Sequence, residues 1–166
     1  FPETNLRTYV RGPDGEPGLW FFSLEAARLA AVLAGRATFG LPYCWSAMQV
    51  DVEPARVSYH SRRRWPGPRG ASCRLAVELG AQVIEPGELD RWLTDRYRLF
   101  TRIAGRLVSA KAEHPPWQLA TATLLELDES LLRAAGLPPR ADPPRLHYSA
   151  GVRAQPVDAG EVADRL

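Results

Sequence analysis

The sequence has 166 residues, 45% of them hydrophobic, with 21 basic against 19 acidic side chains; that length supports one domain with a full core and is short for two. The near-balance of charge and the lack of a long single-sign block argue against a nucleic-acid partner, and no run of about 18 apolar residues offers a membrane-spanning helix. Cys44 and Cys73 are the only cysteines and belong to no CxxC or Cys/His cluster, which excludes a structural zinc site.

Reduced thiols and a cytoplasmic location are the expectation, with no metal and no cofactor implied. Lys111 is the single lysine, so lysine-based covalent chemistry has one candidate. The chain opens at Phe1 without a methionine, as a trimmed or partial chain would.

In chain order, Phe1 to Arg11 alternates as a strand, with Glu3, Asn5 and Arg7 on one face. Such a face suits solvent in an ordinary antiparallel strand. In a barrel interior, by contrast, the glutamate and arginine would have to pair, and would line a ligand site. The turn-rich GPDGEPG of residues 12–18 leads to a second strand at Leu19–Ser23, whose Trp20, Phe21 and Phe22 suggest cover on both faces. Ser23 reads as an N-cap for a helix over residues 24–34, with Glu25 and Ala26 in its first turn and Gly35 at its end.

The stretch GRATFGLPYCWSAMQV, residues 35–50, then turns a corner into a strand with Tyr43, Cys44 and Trp45 at its mouth. Strands over 45–52 and 56–63 form a hairpin, and RRRWPGPRG (62–70) reads as a mobile loop. Residues 73–79 alternate with Cys73 facing the core, and 86–97 form a helix burying Leu89, Trp92 and Leu93. Strands follow at 99–103, 106–112 and 118–126, the first two joined by a tight Ala104-Gly105 turn and the last two separated by the His114–Trp117 corner. A short helix over 128–135, an edge strand near 146–149 and a frayed tail from about Gln155 complete the chain. The whole amounts to about nine strands with two or three helices in a single domain over 1–166, an α+β, mainly antiparallel β architecture built as a closed barrel or a strongly curved sheet.

The pattern Gly-Arg-x-x-x-Gly-φ-Pro at residues 35–42 resembles a segment of acetoacetate decarboxylases in which a lysine pair follows the proline. The phrases FPETNLRTYV, LWFFSLEA, TDRYRLF, HPPW and LHYSAGV span nearly the whole chain and resemble the uncharacterised YqjF-like family of the acetoacetate decarboxylase-like superfamily. That resemblance implies a β-barrel-like fold with an internal cavity and no agreed activity. Glu3 resembles the acidic residue that lines the decarboxylase cavity, and Arg36 matches the arginine of the family phrase. Ala37 stands where that phrase has glutamate, and Tyr43 and Cys44 stand where it has lysines, so decarboxylation through a Schiff base is not expected.

Two functional classes remain. One is a binder of a small organic molecule whose cavity is lined by Glu3, Asn5, Arg7, Tyr43 and Cys44. The other is a non-catalytic structural or interaction module with a filled barrel. A thiol enzyme using Cys44 with His60 or His114 is a third, for which neither histidine lies in a recognisable phrase.

Overall fold

The computed structural model describes residues 1–152 and 155–161. β1 (Glu3–Arg11) and β2 (Pro17–Ala26) form the opening hairpin. At its end the chain departs from its local signals, because β2 continues through Leu24, Glu25 and Ala26 where a Ser23-capped helix is expected. These three residues pair with Asn5, Thr4 and Glu3 of β1 on one side and with Tyr43, Cys44 and Trp45 of β3 (Tyr43–Glu53) on the other. Helix propensities differ by well under about 1 kcal/mol per ordinary residue, so two flanking ladders override them.

α1 (Leu29–Phe39) starts beyond that strand, and Gly35, expected to end the helix, lies buried within it. Termination falls to Gly40, which takes the left-handed conformation (φ 60°) and returns its N–H to the Gly35 carbonyl. Gly35 is needed for a close approach: a Cβ added there would sit 2.5 Å from Cδ2 of the Tyr43 ring.

β3, β4 (Arg56–Trp65) and β5 (Ser72–Gln82) form an antiparallel meander. The basic tract expected in a loop instead supplies the end of β4, through Trp65. α2 (Glu88–Thr94) follows, and its buried residue is Asp90; Leu89 and Trp92, expected in a buried stripe, are 51% and 47% exposed. β6 (Arg98–Ile103) and β7 (Arg106–Glu113) are joined through Ala104 and Gly105, both at positive φ (50° and 82°), the geometry of a two-residue hairpin turn. β8 (Ala120–Glu129), α3 (Leu131–Ala134) and β9 (His147–Tyr148) come next. Of the tail expected to fray, Gln155–Glu161 pairs as β10 with β7, and residues 162–166 lie outside the described residues.

The fold is α+β and mostly antiparallel, but the sheet does not close into the barrel that was one expectation. Its order is β10-β7-β6-β2-β3-β4-β5-β8-β9, with β1 added on β2. The reason lies in β2. β1 occupies one of its edges from Pro17 to Ala26, and the other edge is divided between β6 at Leu19–Trp20 and β3 at Leu24–Ala26, both parallel to it. The sheet therefore branches at β2 into two arms ending in β9 and β10, and among the described residues no pairing joins those ends.

Buried apolar residues fill both sides of the branch: Leu24 and Ala26 of β2 with Val32 of α1, and Leu19 and Phe100 where β2 meets β6. Trp20, Phe21 and Phe22 are each half-buried.

Gly35→Ala gains helix propensity but drives a methyl group into the Tyr43 ring. A net destabilisation on the order of 1 kcal/mol is expected, and chemical denaturation of the variant beside the parent measures it.

Candidate functional site

Side chains alternate across a strand, and directly paired residues of antiparallel neighbours share a face. Thr4 is paired with Glu25 and Leu6 with Ser23; farther along the sheet, Ser46 is paired with Arg63 and Ser61 with Cys73. Ser23, Glu25, Ser46, Ser61 and Arg63 are all almost completely buried.

At the centre is an ion pair that reaches from β2 to β4 across β3. Arg63 Nε donates to the two carboxylate oxygens of Glu25 at 3.2 and 3.1 Å, and Arg63 Nη2 donates to Oε1. Ser46 Oγ on the intervening strand donates to Oε2 at 2.7 Å. Glu25 is 0% and Arg63 6% exposed, so both charges have left water and their cost is offset only by this geometry.

Local sequence hides this cluster. Ser23-Leu-Glu imitates a helix cap and first turn, and RRRW imitates a basic loop. The available signal was period two: extending Val57, Tyr59, Ser61 by one step reaches Arg63, and extending Leu19, Phe21, Ser23 reaches Glu25.

The candidates drawn from the sequence are divided by the same alternation. Tyr43 and Cys44 are adjacent on β3 and face opposite ways, so the five do not line one space. Tyr43 lies against Gly35 of α1, and burial, followed by the nearby Glu3 carboxylate, pushes its phenol well above the ordinary tyrosine range. Glu3 and Tyr43 thus come together on the helix side. Cys44 belongs to the buried side, where loss of water and then the Glu25 charge push its thiol up to about 11, against the opposing influence of Arg63 and Arg36. Arg7 is exposed beyond a bulge between Leu6 and Arg7, with no ion pair to Glu3 among the described residues. Asn5 is exposed and contributes to a cleft described below.

The thiol-enzyme option finds no histidine beside Cys44. His60 is exposed on β4, one step out of phase with buried Ser61, and His114 stacks between Tyr97 and Trp117 with centroids 4.7 and 5.3 Å away. Lys111 is exposed on β7, with β6 and β2 lying between its strand and that of Tyr43.

A cleft of about 450 Å³ lies between β1 and the β5–β8 pair, closed at one end by α3. Thr4, Asn5 and Leu6 line it from β1, Cys73 and Leu127 from the opposite wall, and Leu132 from α3. Asp128, Glu129 and Arg140 supply its charges, and buried Leu131 its base. In a flat sheet β1 and β5 would stand about 19 Å apart, at roughly 4.8 Å per strand. Sharing one cleft requires the arm from β2 to β5 to bend round it. Burial, then Glu129, Asp128 and Glu25, push the Cys73 thiol up to about 11.

Among the described residues, no group of three or more His, Cys, Asp or Glu side chains is placed to hold a metal ion, and no helix is long and apolar enough to cross a membrane.

Removing Arg63 strands a buried carboxylate, so Arg63→Met is expected to cost about 3–5 kcal/mol. Arg7→Ala, at an exposed position, is expected to cost under about 1 kcal/mol. Paired denaturant melts test both. With both thiols near 11, a disulfide reagent at pH 8 is expected to label the native protein much more slowly than the unfolded chain; stopped-flow absorbance reads the two rates.

A family model described as an uncharacterized conserved protein, DUF2071, matches residues 1–153. The uncharacterized protein YqjF of Bacillus subtilis strain 168 is 35% identical over 149 residues, which make up 90% of this chain and 61% of that relative. The chain thus spans about three fifths of the relative's length.

Proposed function

Because the chain belongs to DUF2071, the YqjF-like family of uncharacterized proteins, its kinship brings no reaction with it, and we propose from geometry that it binds a small organic molecule in the cleft between β1, β5–β8 and α3. The cleft's make-up carries this reading. Small-molecule sites are typically concavities of about 300–1,000 Å³, mostly apolar with a few convergent polar groups. The cleft's roughly 450 Å³, its Leu6, Leu127, Leu131 and Leu132 surface and its Asp128, Glu129 and Arg140 charges match that description.

Acetoacetate decarboxylation is not part of the proposal. Tyr43 and Cys44 occupy the positions of the family's lysines, and a phenol held well above its ordinary range is poorly suited to act as a base near neutrality. A decarboxylase-like ancestry of the scaffold is compatible with the curved arm, now without its amine. The unpaired state of both cysteines suits a reducing compartment, and the cytoplasm is the proposed location.

The filled-module reading draws on a different observation. Glu25 and Arg63 occupy the buried side of β2–β4 with each other's charge. Neither residue lines the cleft, which the pair therefore leaves open, and binding is the better-supported reading.

A fragment screen by amide chemical-shift mapping tests the choice. Ligand-induced shifts are expected to cluster on residues 4–6, 127–132 and 73, and Leu132→Trp is expected to weaken such binding at least about tenfold by filling the space. Fragments that bind elsewhere, or none at all, would favour the filled module.

A further inference from the structure

Two of the basic tract's arginines are matched and two are not. Arg63 meets Glu25 and Arg64 stacks over Trp45 at 4.9 Å, whereas the guanidinium groups of Arg62 and Arg69 have no hydrogen-bond or ion-pair partner among the described residues. Arg69 lines a concavity of about 360 Å³, formed where the connection from β4 to β5 meets α3. Residues 68–71 line it from the connection, and Ser130, Arg133 and Ala134 line it from α3 and the residue before that helix. None of these residues lines the cleft already described, which takes Leu131 and Leu132 from the same helix.

Both walls are tied to the sheet. The Gly70 N–H donates to the Arg63 carbonyl at 2.9 Å and the Arg63 N–H to the Ala71 carbonyl at 2.8 Å, while the Ser130 N–H donates to the Ser72 carbonyl at 2.9 Å and the Ser130 hydroxyl accepts from the Ser72 N–H at 2.9 Å. Arg69 and Arg133 are therefore carried on backbone that β4 and β5 hold in place, as a binding site requires.

The charges of the concavity are of one sign. Arg69 and Arg133 line it and no carboxylate does. Like Arg69, the Arg133 guanidinium has no partner among the described residues. Arg62 stands at the edge, since a Cβ built on Gly70 would lie 4.0 Å from its Nε and Nη2. Glu129, the acid next to Ser130 in the chain, lines the other cleft and accepts from the Leu132 N–H at 3.0 Å. Two guanidinium forks match the several oxygens and double charge of a phosphate group, whereas a carboxylate offers one edge and one charge. Pro68, Ala71 and Ala134 supply a small apolar surface for the body that carries it. A nucleic acid would need a longer basic track than these three arginines provide.

From this arrangement we propose that the concavity binds the phosphate group of a small phosphomonoester, Arg69 and Arg133 meeting its oxygens and Arg62 adding positive potential at the rim. The site is independent of the cleft.

Phenyl phosphate and phenyl sulfate are matched probes of different charge, titrated into the full chain and followed by calorimetry and amide shifts. Phenyl phosphate is expected to bind at least about tenfold more tightly near pH 7.5, with shifts on residues 69–71, 130, 133 and 134. Its second proton leaves near pH 6 while arginine stays charged, so its affinity is expected to rise about threefold from pH 5.5 to 7.5 and that of the sulfate to stay constant. Arg69→Ala and Arg133→Ala are each expected to weaken phenyl phosphate about five- to tenfold. Arg102→Ala removes an equal charge from an exposed site on β6, with β2 and β3 between that strand and β4, and is expected to change it less than about twofold.

Equal binding of the two probes, or no rise with pH, would overturn the phosphate assignment. Phenyl phosphate binding that neither Arg69→Ala nor Arg133→Ala weakens, or that Arg102→Ala weakens as much, would overturn the site and leave general attraction to a basic surface. A single-stranded oligonucleotide that binds more tightly than phenyl phosphate, and is released by the same two variants, would overturn the small-molecule assignment in favour of a nucleic acid. Absence of saturable phenyl phosphate binding would overturn the proposal as a whole.

Discussion

The Glu25–Arg63 ion pair is the constraint on which the register of β2, β3 and β4 depends. It joins β2 to β4 across β3 on the buried face, a span of about 10 Å between strands that a long arginine and a glutamate close together. Two charges removed from water at this depth stabilise little by themselves, since attraction chiefly offsets desolvation. Their effect is selective. A one-residue slip of any of the three strands would turn Glu25, Ser46 or Arg63 to the opposite face and leave a buried charge or donor unmatched. The pair thus favours the native register over its neighbours, and since neither residue lines the cleft it leaves the volume between β1 and β5–β8 open.

The other face of the same strands follows different rules. α1 packs there through Val32 and Gly35, and Tyr43 and Glu3 lie beneath it. Arg36 binds the Tyr43 carbonyl at 2.8 Å and stacks over Trp65 at 5.3 Å, while Arg64 stacks over Trp45 at 4.9 Å. The basic tract is thus divided by the pleat. Arg63 turns inward to a carboxylate, and Arg64 stays outside on an aromatic ring, where weakly hydrated guanidinium groups stack favourably.

The chain beyond α3 is held back onto the body by a third device. Asp90 accepts from the Gly87 N–H at 3.0 Å, from Arg145 Nε at 2.9 Å and Nη2 at 2.7 Å, and lies 3.3 Å from His147 Nε2. Burial works against its ionised form, yet the Gly87 N–H and Arg145 hold its carboxyl below the usual range. The same carboxylate caps α2 and anchors the proline-rich return that leads into β9, so α2 presents a polar residue inward where an apolar stripe would be expected.

By itself, the sequence determined the α+β class, the hairpin signals, the Ala104-Gly105 turn and the family. Each of these rests on residues close together in the chain: alternation over a few positions, turn chemistry at a glycine, or short phrases spread along its length. Tertiary structure decided what such signals leave open. Whether Leu24–Ala26 would be helix or strand depended on β1 and β3 arriving on both sides. Whether the sheet would close depended on β3 and β6 dividing one edge of β2. The partner of Glu25 lay 38 residues away on β4, and the cleft formed between strands that are not neighbours in the sheet. A buried charge is acceptable only beside its counter-charge, and that proximity is a property of the folded sheet that no local pattern records.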